Sequence, residues 1–96
     1  MLNKDIVLVN QAFMELVDMP IKGAAKFKIY RIKMELEDKL DLVNQTLNGV
    51  TNVDERTEIL EQPQELESEL LNEEDLVNLE LSMRQIKALQ PVLSNL

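Results

Sequence analysis

The stretch AKFKIYRIKMELEDKLDLVNQTL, residues 25–47, decides the fold. Within it Ala25, Ile29, Ile32, Leu36, Leu40, Val43 and Leu47 recur at steps of 4, 3, 4, 4, 3 and 4. That spacing lines apolar side chains along one side of an α-helix. The pattern predicts a long second helix from near Ile21 to near Asn48, closed by Asn48-Gly49 with Gly49 in the left-handed conformation past its end. Glu35 and Lys39, one turn apart, support its exposed face. Such a helix of about 27 residues is roughly 40 Å long.

Upstream, Leu2, Ile6, Val9, Phe13 and Leu16 step by 4, 3, 4 and 3 and predict a first helix from Lys4 to Val17. Asn3 is its expected N-cap. It stops at Asp18-Met19-Pro20, because the residue before a proline is pushed out of the helical region. A first helix of about 14 residues covers only part of the second at 1.5 Å per residue. The remaining apolar length has to meet the C-terminal half or another copy of the chain, so a homo-oligomer is expected.

Downstream, Asn52-Val53-Asp54-Glu55 has the form of a capping box opening a short helix, although Thr57 to Leu60 fits an extended segment equally well. Pro63 suits the first turn of a helix over Gln64 to Leu71, with Leu66, Leu70 and Leu71 facing inward. Val77, Leu79 and Leu81 alternate with Asn78, Glu80 and Ser82 as a strand does, and such a strand needs a partner near residues 57–60 or on a neighbouring chain. Ser82 and Gln85 form a second capping box, for a helix ending before Pro91. The expected fold is mainly α and a single domain over residues 1–96. A helical hairpin occupies residues 1–49, and a smaller acidic unit, with room for one short β-hairpin, occupies residues 50–96.

Composition narrows the chemistry. Among 96 residues the only aromatic side chains are Phe13, Phe27 and Tyr30, and there is no Cys and no His. Thiol nucleophiles, disulfides, thiolate metal sites and imidazole bases or ligands are therefore excluded together. The net charge of −8 is unevenly placed. Residues 1–49 hold seven basic and seven acidic groups, whereas residues 50–96 hold three basic groups against eleven acids. Direct binding of duplex nucleic acid is disfavoured, since phosphate contacts need a positive face. Ile6 to Val9 is too short for a signal sequence and nothing approaches a membrane span, so a cytoplasmic protein without membrane contact is expected.

Two charged clusters are candidate sites. Lys22, Lys26, Lys28, Arg31 and Lys33 surround Tyr30. Of these, Lys22, Lys26, Tyr30 and Lys33 share one helical face, where ammonium groups and a stacking ring suit an anionic nucleotide. Gly23 beside them lets a ligand approach the backbone. The plainer reading is a solvated face neutralised by the acidic half. The second cluster runs from Asp54 to Glu80, with eleven acids against Arg56 alone. Asp54, Glu55, Glu58, Glu61, Glu65 and Glu69 there are candidate partner-binding residues, able to imitate a nucleic-acid backbone toward a basic protein surface. Their plainer role is solubility and pairing with the basic helix. No spaced Asp-x-Asp-x-Asp-Gly loop for Ca²⁺ is present, so no metal or other cofactor is expected. Without a Gly-rich phosphate loop or a marked carboxylate pair, no enzymatic activity is expected either.

The arrangement Ile6-Val7-x-Val9-Asn10 with Leu16, then Met19-Pro20-x-Lys22-x-x-Ala25 and a long helix, resembles a family of small phage and prophage proteins. That family is a domain of unknown function found mainly among tailed phages of Gram-positive bacteria. Glu65-Leu66-Glu67-x-Glu69-Leu70-Leu71-Asn72, Leu81-Ser82 and Ala88-Leu89-Gln90-Pro91 extend the resemblance over most of the chain. Gln90 stands where the family places an acid, and Tyr30 is displaced from its aromatic position. The resemblance implies a phage-encoded accessory protein in the host cytoplasm and supplies no activity or site. The leading expectation is a non-catalytic protein that binds and occludes a host or phage protein, as a host-defence inhibitor or nucleic-acid mimic. The alternative is an oligomer that sequesters an anionic nucleotide second messenger on the basic face. A third is a component of the virion or its assembly.

Overall fold

The computed structural model describes residues 1–77 and 79–94. Among these residues the chain forms five α-helices: α1 (Asn3–Met14), α2 (Ala24–Leu47), α3 (Val53–Leu60), α4 (Glu73–Leu76) and α5 (Met83–Ala88). A 3-10 turn follows at Gln90–Val92. The mainly α fold and the hairpin with a long second helix are as the periodicity predicts. None of these helices is long and apolar enough to cross a membrane.

The inner stripe of α2 is buried as its spacing requires: Ile29, Ile32, Leu36 and Val43 are buried, and Ala25, Leu40 and Leu47 are half-buried. Ile6, Val9 and Phe13 meet it from α1 and Leu16 from the turn that follows, and Leu71, Leu89 and Val92 enter the same cluster from the C-terminal half. The C-terminal half is thus wrapped onto the hairpin around one core. Each fully buried Leu, Ile or Phe contributes about 1.5–3 kcal/mol by leaving water. The wrap does not make the molecule round. Its radius of gyration is 14.3 Å and its long axis 44 Å, against roughly 12.5 Å expected for a compact chain of this length.

The long distal part of α2 is met by α3, which runs from the end of α2 back to the start of α1. The Arg56 guanidinium donates to the carbonyls of Val50 at 2.9 Å and Leu47 at 3.3 Å. At the other end, Asn3 Nδ2 donates to the Ile59 carbonyl at 2.7 Å. Gly49, at φ 82, closes α2 as predicted.

Several boundaries differ from expectation, each for a local reason. Asn3 is a buried member of α1 rather than its cap. Leu2 takes the cap position, and the Asp5 carboxylate accepts the Leu2 N–H at 2.8 Å. α1 ends at Met14 rather than Val17, because Glu15, Leu16 and Met19 donate to carbonyls three residues back and tighten the chain before Pro20. α2 begins at Ala24 rather than Ile21, since Gly23 (φ 74, ψ −157) is not helical.

Residues 53–60 are helical, with Asn52 Oδ1 accepting the Glu55 N–H at 3.1 Å, which settles the ambiguity there. The helix expected over Gln64 to Leu71 does not form. Its backbone is bound from outside: Gln64 exchanges hydrogen bonds with Met1, and the Glu35 carboxylate accepts the N–H groups of Glu67 and Ser68 at 2.7 and 2.8 Å.

The strand expected at Val77, Leu79 and Leu81 is absent among the described residues, and no β-hairpin forms there; Asn78 of that alternation lies outside them. Val77 closes α4 and is exposed, while Leu79 and Leu81 pack on the core as a turn. With residues 57–60 helical, the described residues offer it no partner strand. Pairing among them consists of two isolated bridges, Leu2 with Pro63 and Leu71 with Leu93. The Ser82–Gln85 capping box is present and opens α5.

Candidate functional site

Three of the four basic-face residues come together. Lys26, Tyr30 and Lys33 border a groove of about 350 Å³ between the end of α1 and the first half of α2. Phe13, Leu16, Ile29 and Met34 line it from the apolar side. Tyr30 is 61 % exposed. Lys33 is held by Glu37 one turn along, whereas Lys26 has no ion-pair partner among the described residues.

Lys22 does not join this set. It precedes the first turn of α2, so helical spacing does not apply to it, and it faces a separate hollow beside Ala25, Glu74 and Asp75. Gly23 likewise has a backbone role rather than a ligand-facing one. A Cβ there would meet nothing within 4 Å, but its φ of 74 is one that other residues resist.

The acidic set divides. Asp54, Glu55 and Glu58 lie on α3, and Glu61 caps its C-terminal end. Asp54, Glu58 and Glu61 follow steps of 4 and 3 and share a face. All four are exposed, and none has an ion-pair partner among the described residues. Glu65 stands apart on the extended segment. Glu69 approaches Lys28 at 3.6 Å, so it is engaged within the chain.

Lys28, Asp75 and Glu35 carry the strongest electrostatics; the sequence put Lys28 in the basic cluster, Asp75 in the acidic run and Glu35 beside Lys39, and singled out none of the three as a site residue. Lys28 Nζ lies 2.6 Å from Asp75 Oδ2, and both side chains are about nine-tenths buried. The hydrogen bond to Asp75 raises the Lys28 pKa; desolvation opposes it, and the charges of Asp75 and Glu69 add to the rise. At Asp75 burial pushes the carboxyl up. The Asn72 N–H and the Lys28 ammonium outweigh that and hold it below the ordinary value. At Glu35 burial also pushes up, and hydrogen bonds from Ser68 and from the Glu67 N–H, with Lys39 at 3.7 Å, more than offset it. Both carboxyls are therefore fixed anions that hold the C-terminal half onto α2. The signal for Lys28 was its place beside the buried stripe; its partner lies forty-seven residues away, beyond the reach of spacing.

A larger groove of about 490 Å³ runs between α1 and α5, with Leu8 exposed on α1 and Gln85 Nε2 donating to Glu15 at 2.7 Å across it. No sequence pattern pointed to it, because it is formed by helices some seventy residues apart. Among the described residues no group of three or more acidic side chains is placed to hold a metal ion.

Comparison of the chain with protein families, curated proteins and solved structures finds no match. What can be stated of its class is the architecture: a long-armed helical hairpin with a C-terminal half wrapped onto it.

Proposed function

We propose that this chain is a non-catalytic binding protein that covers a basic surface on a protein partner with the acidic face of α3. The observation that carries this reading is that α3 buries none of its residues fully while Asp54, Glu55, Glu58 and Glu61 stand exposed and unpaired among the described residues. Charge that is not used inside the molecule remains available for steering an encounter. Val53, 74 % exposed at the start of α3, supplies apolar contact next to it. The resemblance to small phage proteins supports a phage-encoded accessory role, occluding a host or phage protein, with host-defence inhibition or nucleic-acid mimicry as its forms.

The test compares wild type with D54N/E58Q/E61Q as bait in lysate of a Gram-positive host at low salt. A species retained by wild type, released by salt and missed by the variant is expected. Retention that is insensitive to salt, or equal for the variant, overturns the reading.

A second reading rests on the convergence of Lys26, Tyr30 and Lys33 at one groove, where an anionic nucleotide is held by the lysines with its base on Tyr30. Calorimetric titration with a panel of linear and cyclic nucleotides, on wild type and on K26A/Y30A, tests it. The expected result is heat from one nucleotide that vanishes in the variant; a panel without heat rejects it.

A further inference from the structure

The outer side of α2 carries a second stripe, opposite the buried one. Phe27, Arg31, Met34, Asp38 and Leu42 recur there at steps of 4, 3, 4 and 4, so they lie along one line of the helix. Phe27 is 61 % exposed, Leu42 62 % and Met34 42 %. Large apolar side chains in a row on a surface helix mark a contact that the chain itself does not make.

The charges between them say what makes it. The first half of α2 carries Lys26, Lys28, Arg31 and Lys33, and the second half carries Glu35, Glu37, Asp38 and Asp41 with Lys39 alone. On the stripe itself Arg31 and Asp38 are exposed, and neither has an ion-pair partner among the described residues.

A stripe that reads apolar, positive, apolar, negative, apolar is complementary to its own reverse. Laid antiparallel about a two-fold axis beside Met34, the stripe brings Phe27 against Leu42 of the second copy and Arg31 against its Asp38. The two Met34 side chains sit side by side at the axis. Every contact occurs twice, as an isologous interface requires. A parallel arrangement would oppose Arg31 to Arg31 and Asp38 to Asp38, and like charges facing one another disfavour it.

We propose that a second copy of this chain docks antiparallel along the outer face of α2, with the Phe27–Leu42 and Arg31–Asp38 pairs setting its register. This is independent of the binding reading given for α3. Because α3 packs on the distal half of α2, the dimer carries an α3 face toward each end of its long axis.

The test uses analytical ultracentrifugation of four samples: wild type, R31E, D38R and an equal mixture of the two variants. Wild type is expected to dimerise. R31E alone sets a carboxylate against Asp38 twice, and D38R alone sets a guanidinium against Arg31 twice. Each is therefore expected to raise the dimer dissociation constant by at least about tenfold. In the mixture the antiparallel register sets the R31E carboxylate of one copy against the D38R guanidinium of the other and leaves an unchanged Arg31–Asp38 pair as the second contact. Both contacts are then attractive, and a heterodimer tighter than either homodimer is expected.

A second measurement exploits the absence of cysteine from the chain. Mild oxidation should crosslink M34C into dimers and leave V53C, exposed on α3, monomeric. A monomeric wild type overturns the proposal, as does a dimer indifferent to both charge reversals or a mixture no more dimeric than its parts. Folded far-UV spectra of R31E and D38R separate loss of the interface from loss of the fold.

Discussion

Replacing Glu35 should loosen the C-terminal half from the hairpin, by an amount that can be worked from its two hydrogen bonds. Its carboxylate accepts the Glu67 N–H at 2.7 Å and the Ser68 N–H at 2.8 Å, with the side chain 17 % exposed. A hydrogen bond to a charged group contributes about 1.5–3 kcal/mol net. Glu67 lies at the surface, so water recovers part of the loss, and the total for E35A is about 2 kcal/mol. Gln keeps one acceptor oxygen and loses the charge, which leaves E35Q short by about 1 kcal/mol. At about 4–8 °C per kcal/mol for a domain of this size, E35A melts roughly 8–16 °C below wild type.

The measurement is urea and thermal unfolding followed by circular dichroism, with the midpoint falling at constant m. The sign of the pH dependence follows from the lowered folded-state pKa. A depressed carboxyl contributes stability that is fully present above its unfolded value, near 4.5, and lost as pH falls through the folded value. The gap between wild type and E35Q should therefore narrow as pH drops through the unfolded value, near 4.5, and below it. A gap that is absent at neutral pH, or constant through that window, refutes the role assigned to Glu35.

Two further outcomes follow from groups near the ends of α2. K28M strands the Asp75 carboxylate, and D75L strands the Lys28 ammonium. Each should cost about 2–4 kcal/mol in chemical denaturation, with K28M/D75L recovering part of the loss, because an unpaired buried charge is worse than no charge. Lys28 is raised above 10.5, so its contribution is present below that pH and lost as pH climbs through the folded value; K28M should flatten the alkaline side of the stability profile. G49A places a Cβ at φ 82, where space is open but the backbone region is unfavourable, so thermal unfolding should show a loss of about 1 kcal/mol, and G49N a smaller one.

What the sequence made legible was whatever lies within one helical turn. The inner stripe of α2, the Gly49 stop and the Ser82–Gln85 cap are local patterns, and each is found in place. Residues 63–71 and 77–81 failed for a common reason. A proline at a first-turn position and three alternating apolar residues are also local patterns, but what overrode them came from far along the chain: Glu35 and Met1 bind the first segment, and the core draws in Leu79 and Leu81 of the second. The candidate sites divide the same way. Lys26, Tyr30 and Lys33 share a flank because they share a helix. Lys22 fell away with the helix start, and Glu69 approaches Lys28 across the wrap while staying at the surface, beside the buried Asp75.

The two stripes of α2 show how far that locality reaches. Both follow helical spacing, so periodicity alone ranks them by hydrophobicity and assigns the inner one to the core. The outer stripe is weaker in apolar content because Arg31 and Asp38 interrupt it, and on hydrophobicity it reads as ordinary surface. Those interruptions are what give it direction: a uniformly apolar stripe would accept a second helix in either sense and at several registers, whereas one Arg and one Asp separated by two turns accept only the reverse. The net charge of −8 per chain opposes any assembly at long range. Added salt should therefore weaken the short Arg31–Asp38 contacts and relieve the overall repulsion together. If the register is set as argued, the R31E and D38R mixture keeps its advantage over either variant alone as salt rises, though by a smaller factor. An advantage that reverses with salt would mean that net charge, not register, governs association.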